Sequence, residues 1–288
     1  MQKKYFMRWK GRTGSQNVED RRRNTKRVGG GIGIMGIIAI VVFSYITGQN
    51  PLSLLQQTGG LSGGTTTERP ISQRQEQLAQ FSKVVLKDTE DVWEKVFREQ
   101  LGSHYQAPTL VLFTESTSAA CGMASAATGP FYCPADQKVY LDTQFFEELS
   151  SRFGASGDFA MAYVIAHEVG HHVQYLLGIT DQVHSQRRRL SKTEYNKLSV
   201  RLELQADYFA GLWAKHADAM KNILEAGDIE EALRAANAIG DDHLQKQAQG
   251  YVVPDAFTHG TSKQRMHWFM KGYKSGRVED GDTFNSPI

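Results

Sequence analysis

His167-Glu168-Val169-Gly170-His171 closes an apolar run, Phe159-Ala160-Met161-Ala162-Tyr163-Val164-Ile165-Ala166. From Asp158 to Leu177 there is no proline, and the one glycine is Gly170, so the stretch reads as a helix. Residues four apart lie on one face of a helix, one turn above each other. Both imidazoles can therefore reach one Zn²⁺, and Glu168 beside them can act as general base on a water at the metal. Gly170 costs about 1 kcal/mol of helix propensity relative to alanine, which predicts close packing or a ligand approach there. The pattern points to a metal-dependent hydrolase.

A three-ligand zinc site needs one more residue. The best candidate stands in Arg201-Leu202-Glu203-Leu204-Gln205-Ala206-Asp207-Tyr208-Phe209-Ala210-Gly211. Glu203 and Asp207 are four apart and share a face, while apolar residues at 202, 204, 206, 209, 210, 212 and 213 make this a core helix. A carboxylate pair is costly to bury unless it meets a cation. Glu203 is read as the third ligand, and Asp207 as the acceptor for the non-ligating nitrogen of a ligand histidine. The plainer alternative pairs the two acids with Arg201 or Lys215 on a solvated face.

With these two stretches in hand, the chain resembles the gluzincin peptidases, in which H-E-x-x-H is completed by E-x-x-x-D on a later helix. More closely, it resembles the bacterial neutral zinc metallopeptidase family. The matching stretches are MRWKGRTGSQNVEDRR at 7–22, Ser118-Ala119-Ala120-Cys121-Gly122, GPFYCPADQKVYLD at 129–142, AHEVGHHVQ at 166–174, ELQADYFAG at 203–211 and FTHGTSKQR at 257–265. The resemblance implies a zincin-like fold, one zinc per chain held by His167, His171 and Glu203, and Glu168 as base. By resemblance to gluzincins that use a downstream histidine, His259 is the first choice for stabilising an oxyanion, from a loop ahead of a helix that Ser262 caps, a residue that only braces the loop being equally compatible; Tyr251 is the second choice. His172 is turned about 100° from His171 and cannot share the ligand face, so it is read as packed or supporting.

The formal net charge of the 288 residues, +2, hides an asymmetry. Residues 1–30 carry ten Lys or Arg against Glu19 and Asp20, a balance of +8, and the remainder carries −6. Next comes Val28 to Ile46, uncharged, which as a helix would span about 28 Å, close to the hydrocarbon thickness of a bilayer. The basic flank then orients it with residues 1–27 in the cytoplasm. The expected organisation is a basic cytoplasmic tail (1–27), a single-pass transmembrane anchor (28–47), a Gly/Thr-rich flexible linker (48–74) and a catalytic domain (75–288) outside, periplasmic or extracellular. In such an oxidising compartment, Cys121 and Cys133 are read as a disulfide.

Strand-like runs at Thr109–Phe113 and Lys138–Asp142 precede the central helix. Val139 to Leu141 is the candidate for an edge strand on which a peptide substrate pairs, an interior strand being equally compatible. Helical spacing at 74–100, 142–153, 193–216, 229–248 and 262–273 makes the domain α+β, mostly helical with a small sheet. The function these readings predict is a zinc metallopeptidase cutting peptide or unfolded-protein substrates of the envelope. The alternative is a catalytically latent, zinc-stabilised binding module at the membrane surface. The acidic balance after residue 30 argues against nucleic acid as partner, and no carbohydrate-binding signature supports a cell-wall hydrolase.

Overall fold

The computed structural model describes residues 7–26, 66–68, 70–125, 129–151 and 154–288. Its strands are β1 (Val18–Asp20), β2 (Asn24–Lys26), β3 (Thr66–Glu68), β4 (Thr109–Phe113), β5 (Ser116–Ala119), β6 (Gly122–Ser125), β7 (Phe131–Cys133) and β8 (Lys138–Asp142). Its α-helices are α1 (Gln73–Val96), α2 (Phe145–Ser151), α3 (Asp158–Leu176), α4 (Ile179–Ser185), α5 (Lys192–Lys221), α6 (Asp228–Ala238), α7 (Asp241–Gln249) and α8 (Ser262–Ser275). The fold is mixed α+β and mostly helical, as expected.

Four strands form the main sheet in the order β1-β4-β8-β7, with β1, β4 and β8 parallel and β7 antiparallel to β8. The two central strands are buried on both faces, which is why Leu110-Val111-Leu112-Phe113 and Val139-Tyr140-Leu141 read as continuous apolar runs. Leu110, Leu112, Val139 and Leu141 join the main core under the helices. Val111, Phe113 and Tyr140 face a smaller cluster with Ala124 and Cys133, beneath the β5–β6 hairpin. Strand β8 is thus interior, and the expectation that Val139 to Leu141 forms the edge is corrected: β1 and β7 are the edges.

Helix α5 runs through the centre, packed on α3 and α8. A capping box between Ser191 and Glu194 starts it. Its apolar residues read from the sequence are buried, Trp213 stacking on Phe159 and Phe209 standing edge-on to Trp93. Helix α3 begins at a cap from far along the chain: the Glu231 carboxylate of α6 accepts from the Phe159 N–H at 3.0 Å. The periodicity at 229–248 proves to be two helices, α6 and α7, parted at Gly240. A side chain there would lie 2.5 Å from the Ser262 backbone N, so the start of α8 sets this break.

Residues 7–26 are not a tail apart from the domain. Val18, Glu19 and Asp20 pair in register with Leu110, Val111 and Leu112, and Met7 is buried in the main core. Trp9 donates from Nε1 to Asp158 at 2.9 Å and meets Phe81 edge-on. The basic residues find acids of the domain: Arg8 pairs with Glu225, Arg12 with the buried Asp88, and Arg22 with Glu76. Through these contacts residues 7–26 join the body formed by residues 70–288. The expected linker ends earlier than residue 74, because Ser72 caps α1 with a capping box to Gln75. The proposed anchor, Val28 to Ile46, lies outside the described residues; among the described residues no helix is long and apolar enough to cross a membrane.

Candidate metal centre

Helix α3 carries His167 and His171 on one face, and α5 carries Glu203 opposite them. His167 Nε2 lies 3.2 Å from Glu203 Oε2, and His171 Nε2 lies 3.5 Å from Glu203 Oε1. One ligand atom from each of the three falls within 4.8 Å of the others. The helices come this close because Gly170 faces Ala206: a Cβ at 170 would stand 3.0 Å from the Ala206 carbonyl oxygen. The glycine inside the motif therefore serves helix packing, the first of its two expected roles.

Each imidazole is oriented through its other nitrogen. His167 Nδ1 sits 2.8 Å from Asp207 Oδ1, and a carboxylate only accepts, so Nδ1 bears the proton. His171 Nδ1 sits 2.9 Å from Gln174 Oε1. The amide is fixed in that sense because Gln174 Nε2 donates to the Leu202 carbonyl at 2.6 Å and to Gln205 Oε1 at 3.1 Å. Each Nε2 thereby faces Glu203, where the lone pair of the neutral imidazole would be open to a Zn²⁺ that replaces the proton shared with the carboxylate. Two imidazoles and one carboxylate with an open side fit a zinc ion by number and donor type.

Asp207 meets more than a histidine. Arg265 of α8 grips it with two hydrogen bonds, Nε to Oδ2 at 2.8 Å and Nη2 to Oδ1 at 3.0 Å. Tyr163 donates its hydroxyl to the same Oδ1 at 2.5 Å, and Arg265 also reaches the Tyr163 oxygen at 3.2 Å. All of these groups are buried. Burial alone would neutralise Asp207, yet the Arg265 guanidinium and His167 hold its carboxyl down at about 2. Burial likewise disfavours a charged His167, but Asp207 first and then Glu203 raise it to about 10. Neither Arg201 nor Lys215 serves the acidic pair: Arg201 donates to the carbonyls of Thr283 and Ser286, and Lys215 to those of Lys274 and Ser275. Sequence reading missed Tyr163, Gln174 and Arg265. Gln174 and Arg265 stood in the stretches that carried the family resemblance, and Tyr163 one turn before the motif.

A cleft of about 420 Å³ opens over the three converging residues. Glu168 lines it, and burial raises its carboxyl above the ordinary range, against the pull of His167 and His171. His259 lines it from the loop before α8, half exposed at its mouth. The Glu203 carboxylate is the main reason the imidazole of His259 titrates above its usual range. Asp241 holds that loop by accepting from the backbone N–H groups of Thr258, His259 and Gly260 at 2.8, 2.6 and 2.9 Å. Tyr251 is 62% exposed and does not line the cleft, so the second choice for an oxyanion donor is not brought to the site. Phe131 and Tyr132 of the edge strand β7 form one wall. Cys121 and Cys133 are disulfide-bonded, which ties β7 to the β5–β6 turn.

The chain is 46% identical over 300 aligned positions to "Uncharacterized protein YpfJ" of Escherichia coli (strain K12), covering 98% of this chain and 100% of that one. It is 42% identical over 192 positions to "Uncharacterized protein Rv2575" of Mycobacterium tuberculosis (strain ATCC 25618 / H37Rv), covering 63% of this chain and 64% of the relative. No solved structure matches it. The metal-binding geometry and a family match running from residue 7 to residue 284 converge, and the chain belongs to the family described as "Putative neutral zinc metallopeptidase".

Proposed function

We propose that the protein is a zinc-dependent endopeptidase whose substrates are extended or unfolded segments of envelope proteins. The observation that carries this reading is the convergence of His167, His171 and Glu203 beside a buried Glu168, at the foot of a cleft walled by β7, an edge strand of the sheet among the described residues. His167, His171 and Glu203 would hold one zinc ion per chain. When bound, that ion supplies Lewis-acid polarisation of a carbonyl and of a water.

The remaining steps fall to the chain itself. Glu168 takes the proton of the attacking water and returns it to the leaving amine; its raised pKa brings it nearer the operating pH, where such a shuttle works best. The imidazole of His259 is a donor for the charge that develops on the carbonyl oxygen. Asp207, held by Arg265 and Tyr163, fixes the His167 tautomer. Strand β7 has its outer side unpaired among the described residues and offers backbone groups to an extended peptide, the role first given to β8. The apolar stretch Val28–Ile46 supports attachment to a membrane. Both ends of the segment that contains it join one folded body, so attachment keeps residues 7–26 on the domain's side.

The test is metal content and proteolysis of the full chain beside Glu168→Gln. The expected result is one zinc in each and cleavage of an unfolded casein substrate by the wild type alone. Cleavage by Glu168→Gln at the wild-type rate would remove the base. Zinc in both with cleavage by neither would leave a zinc-stabilised binding module.

A further inference from the structure

His172 directly follows the second ligand candidate and is wholly buried. Its two ring nitrogens have unlike partners. Nε2 lies 2.6 Å from the backbone carbonyl oxygen of Gln106. A carbonyl can only accept, so Nε2 carries the hydrogen. In the neutral imidazole Nδ1 is then a bare acceptor. The group facing it, at 2.9 Å, is the hydroxyl of Tyr132, which must donate. The order of donation is fixed from end to end: Tyr132 O–H to His172 Nδ1, and His172 Nε2–H to the Gln106 carbonyl.

Tyr132 is the middle residue of β7, paired with Val139 of β8. Its ring stands edge-on to His172 with centroids 5.3 Å apart, and Tyr105 packs edge-on against the same imidazole at 5.8 Å. The neighbouring Cys133 is held by Cys121. The edge strand is therefore fixed to the β5–β6 turn at one residue and to the metal-bearing helix α3 at the next. His172 follows His171 on the same rigid helix, so the Tyr132 bond sets the separation between the peptide-pairing edge and the ligand histidines.

We propose that His172 is a positioning residue: through Tyr132 it holds the edge strand β7 at the distance from α3 that seats an extended peptide over the metal centre. The proposal rests on the peptidase reading above for its substrate. Its geometric half is independent of that reading.

Two readouts test it. Histidine ¹⁵N NMR on the full-length zinc-loaded protein should show His172 as the neutral Nε2–H tautomer, with a Nδ1 resonance that moves downfield in Tyr132→Phe; His172→Phe identifies the signal. An Nδ1–H tautomer, or no response to Tyr132→Phe, overturns the tie. The second readout is binding of an extended decapeptide against a blocked dipeptide, measured in the Glu168→Gln background. Tyr132→Phe and His172→Phe should each weaken the long peptide about five- to tenfold more than the short one, the scale expected for one buried hydrogen bond. His172 is buried, so a matching loss from that side separates positioning from lost contact with the hydroxyl. If His172→Phe fails to fold, the Tyr132→Phe binding ratio and the NMR shift decide the matter. Equal weakening of both peptides overturns the positioning role even if wild type cleaves peptides. A length-dependent loss in a protein that cleaves nothing upholds the role and removes the peptidase reading.

Discussion

Gly211 of α5 and Gly272 of α8 face each other where the two helices cross, and Gly211→Ala should be among the more damaging single-carbon additions in the protein. A Cβ at 211 would lie 2.8 Å from the Tyr273 N and 2.9 Å from the Phe269 carbonyl carbon, with the Phe269 oxygen nearer still. Comfortable carbon contacts begin at about 3.5 Å, so the backbones must part by roughly 1 Å. The obstacles are backbone atoms, which cannot swing away as a side-chain tip would. Overpacking of this kind costs about 3 kcal/mol, and the better helix propensity of alanine returns about 1 kcal/mol. The net loss of about 2 kcal/mol corresponds to a melting point lower by about 4–8 °C in a domain of this size. Function should suffer with stability. Helix α8 also carries Arg265, whose bonds to Asp207 are 2.8 and 3.0 Å. A 1 Å retreat carries them beyond hydrogen-bonding range, and loosening that support should weaken zinc binding about tenfold. Thermal unfolding by circular dichroism and zinc competition with a chelating dye check the two arms. A melting point within 2 °C of wild type, together with unchanged zinc affinity, would refute the reasoning.

Three further predictions rest on other contacts. Arg265→Met leaves the Asp207 carboxylate buried without its cation, which should cost about 3–5 kcal/mol in stability and at least tenfold in zinc affinity, read by denaturant titration and chelator competition. Asp228 has a pKa raised from its ordinary 3.8 to about 6, chiefly by burial. The unfolded chain then ionises before the folded one, so its contribution is fully present below pH 3.8 and lost as pH rises through about 6. The loss is at most about 3 kcal/mol, and Asp228→Asn should flatten the stability profile between pH 4 and 6; an unchanged profile would count against the assignment. Finally, cysteines placed at the exposed Lys10 and Arg234 should react with a membrane-impermeant maleimide from the same side of vesicles carrying the full chain. Labelling from opposite sides would contradict the pairing of β1 with β4.

What could be read in advance was whatever repeats within one helix. His167 and His171, and Glu203 and Asp207, are each four apart, and the helical period places them without knowledge of the partner helix. Arg265, which stands far from Asp207 in sequence, has no such mark. A buried acid demanding a cation was the available signal, and the nearest cations in sequence, Arg201 and Lys215, were the wrong ones because the C-terminal carbonyls take them. Strand β7 escaped notice for a different reason. Three residues between Gly129-Pro130 and Pro134 are too few to show alternation, and only the order of the sheet reveals them as an edge. The N-terminal charge pattern admits two readings. An excess of +8 beside an apolar stretch resembles an orientation signal, but the −6 of the remainder includes acids that accept those same arginines.

The charge balance of the centre shows why Arg265 matters to metal choice as well as to stability. Asp207 and Arg265 cancel, which leaves Asp207 free to fix the His167 tautomer without adding negative charge to the metal site. Glu203 and Glu168 then contribute the two negative charges that face the cleft, when both are ionised. Two neutral imidazoles with Nε2 acceptors complete the set. A dication brings this buried group to neutrality, whereas a monovalent ion leaves one carboxylate uncompensated in a low-dielectric interior. Replacing Arg265 by a neutral residue would upset the same balance from behind. Asp207 would then face His167 Nδ1 with an uncompensated charge, and the imidazole that zinc requires in its neutral form would be held charged more firmly. Zinc affinity in Arg265→Met should therefore fall more steeply at pH 6 than at pH 8, whereas simple loosening of the helix would lower it equally at both.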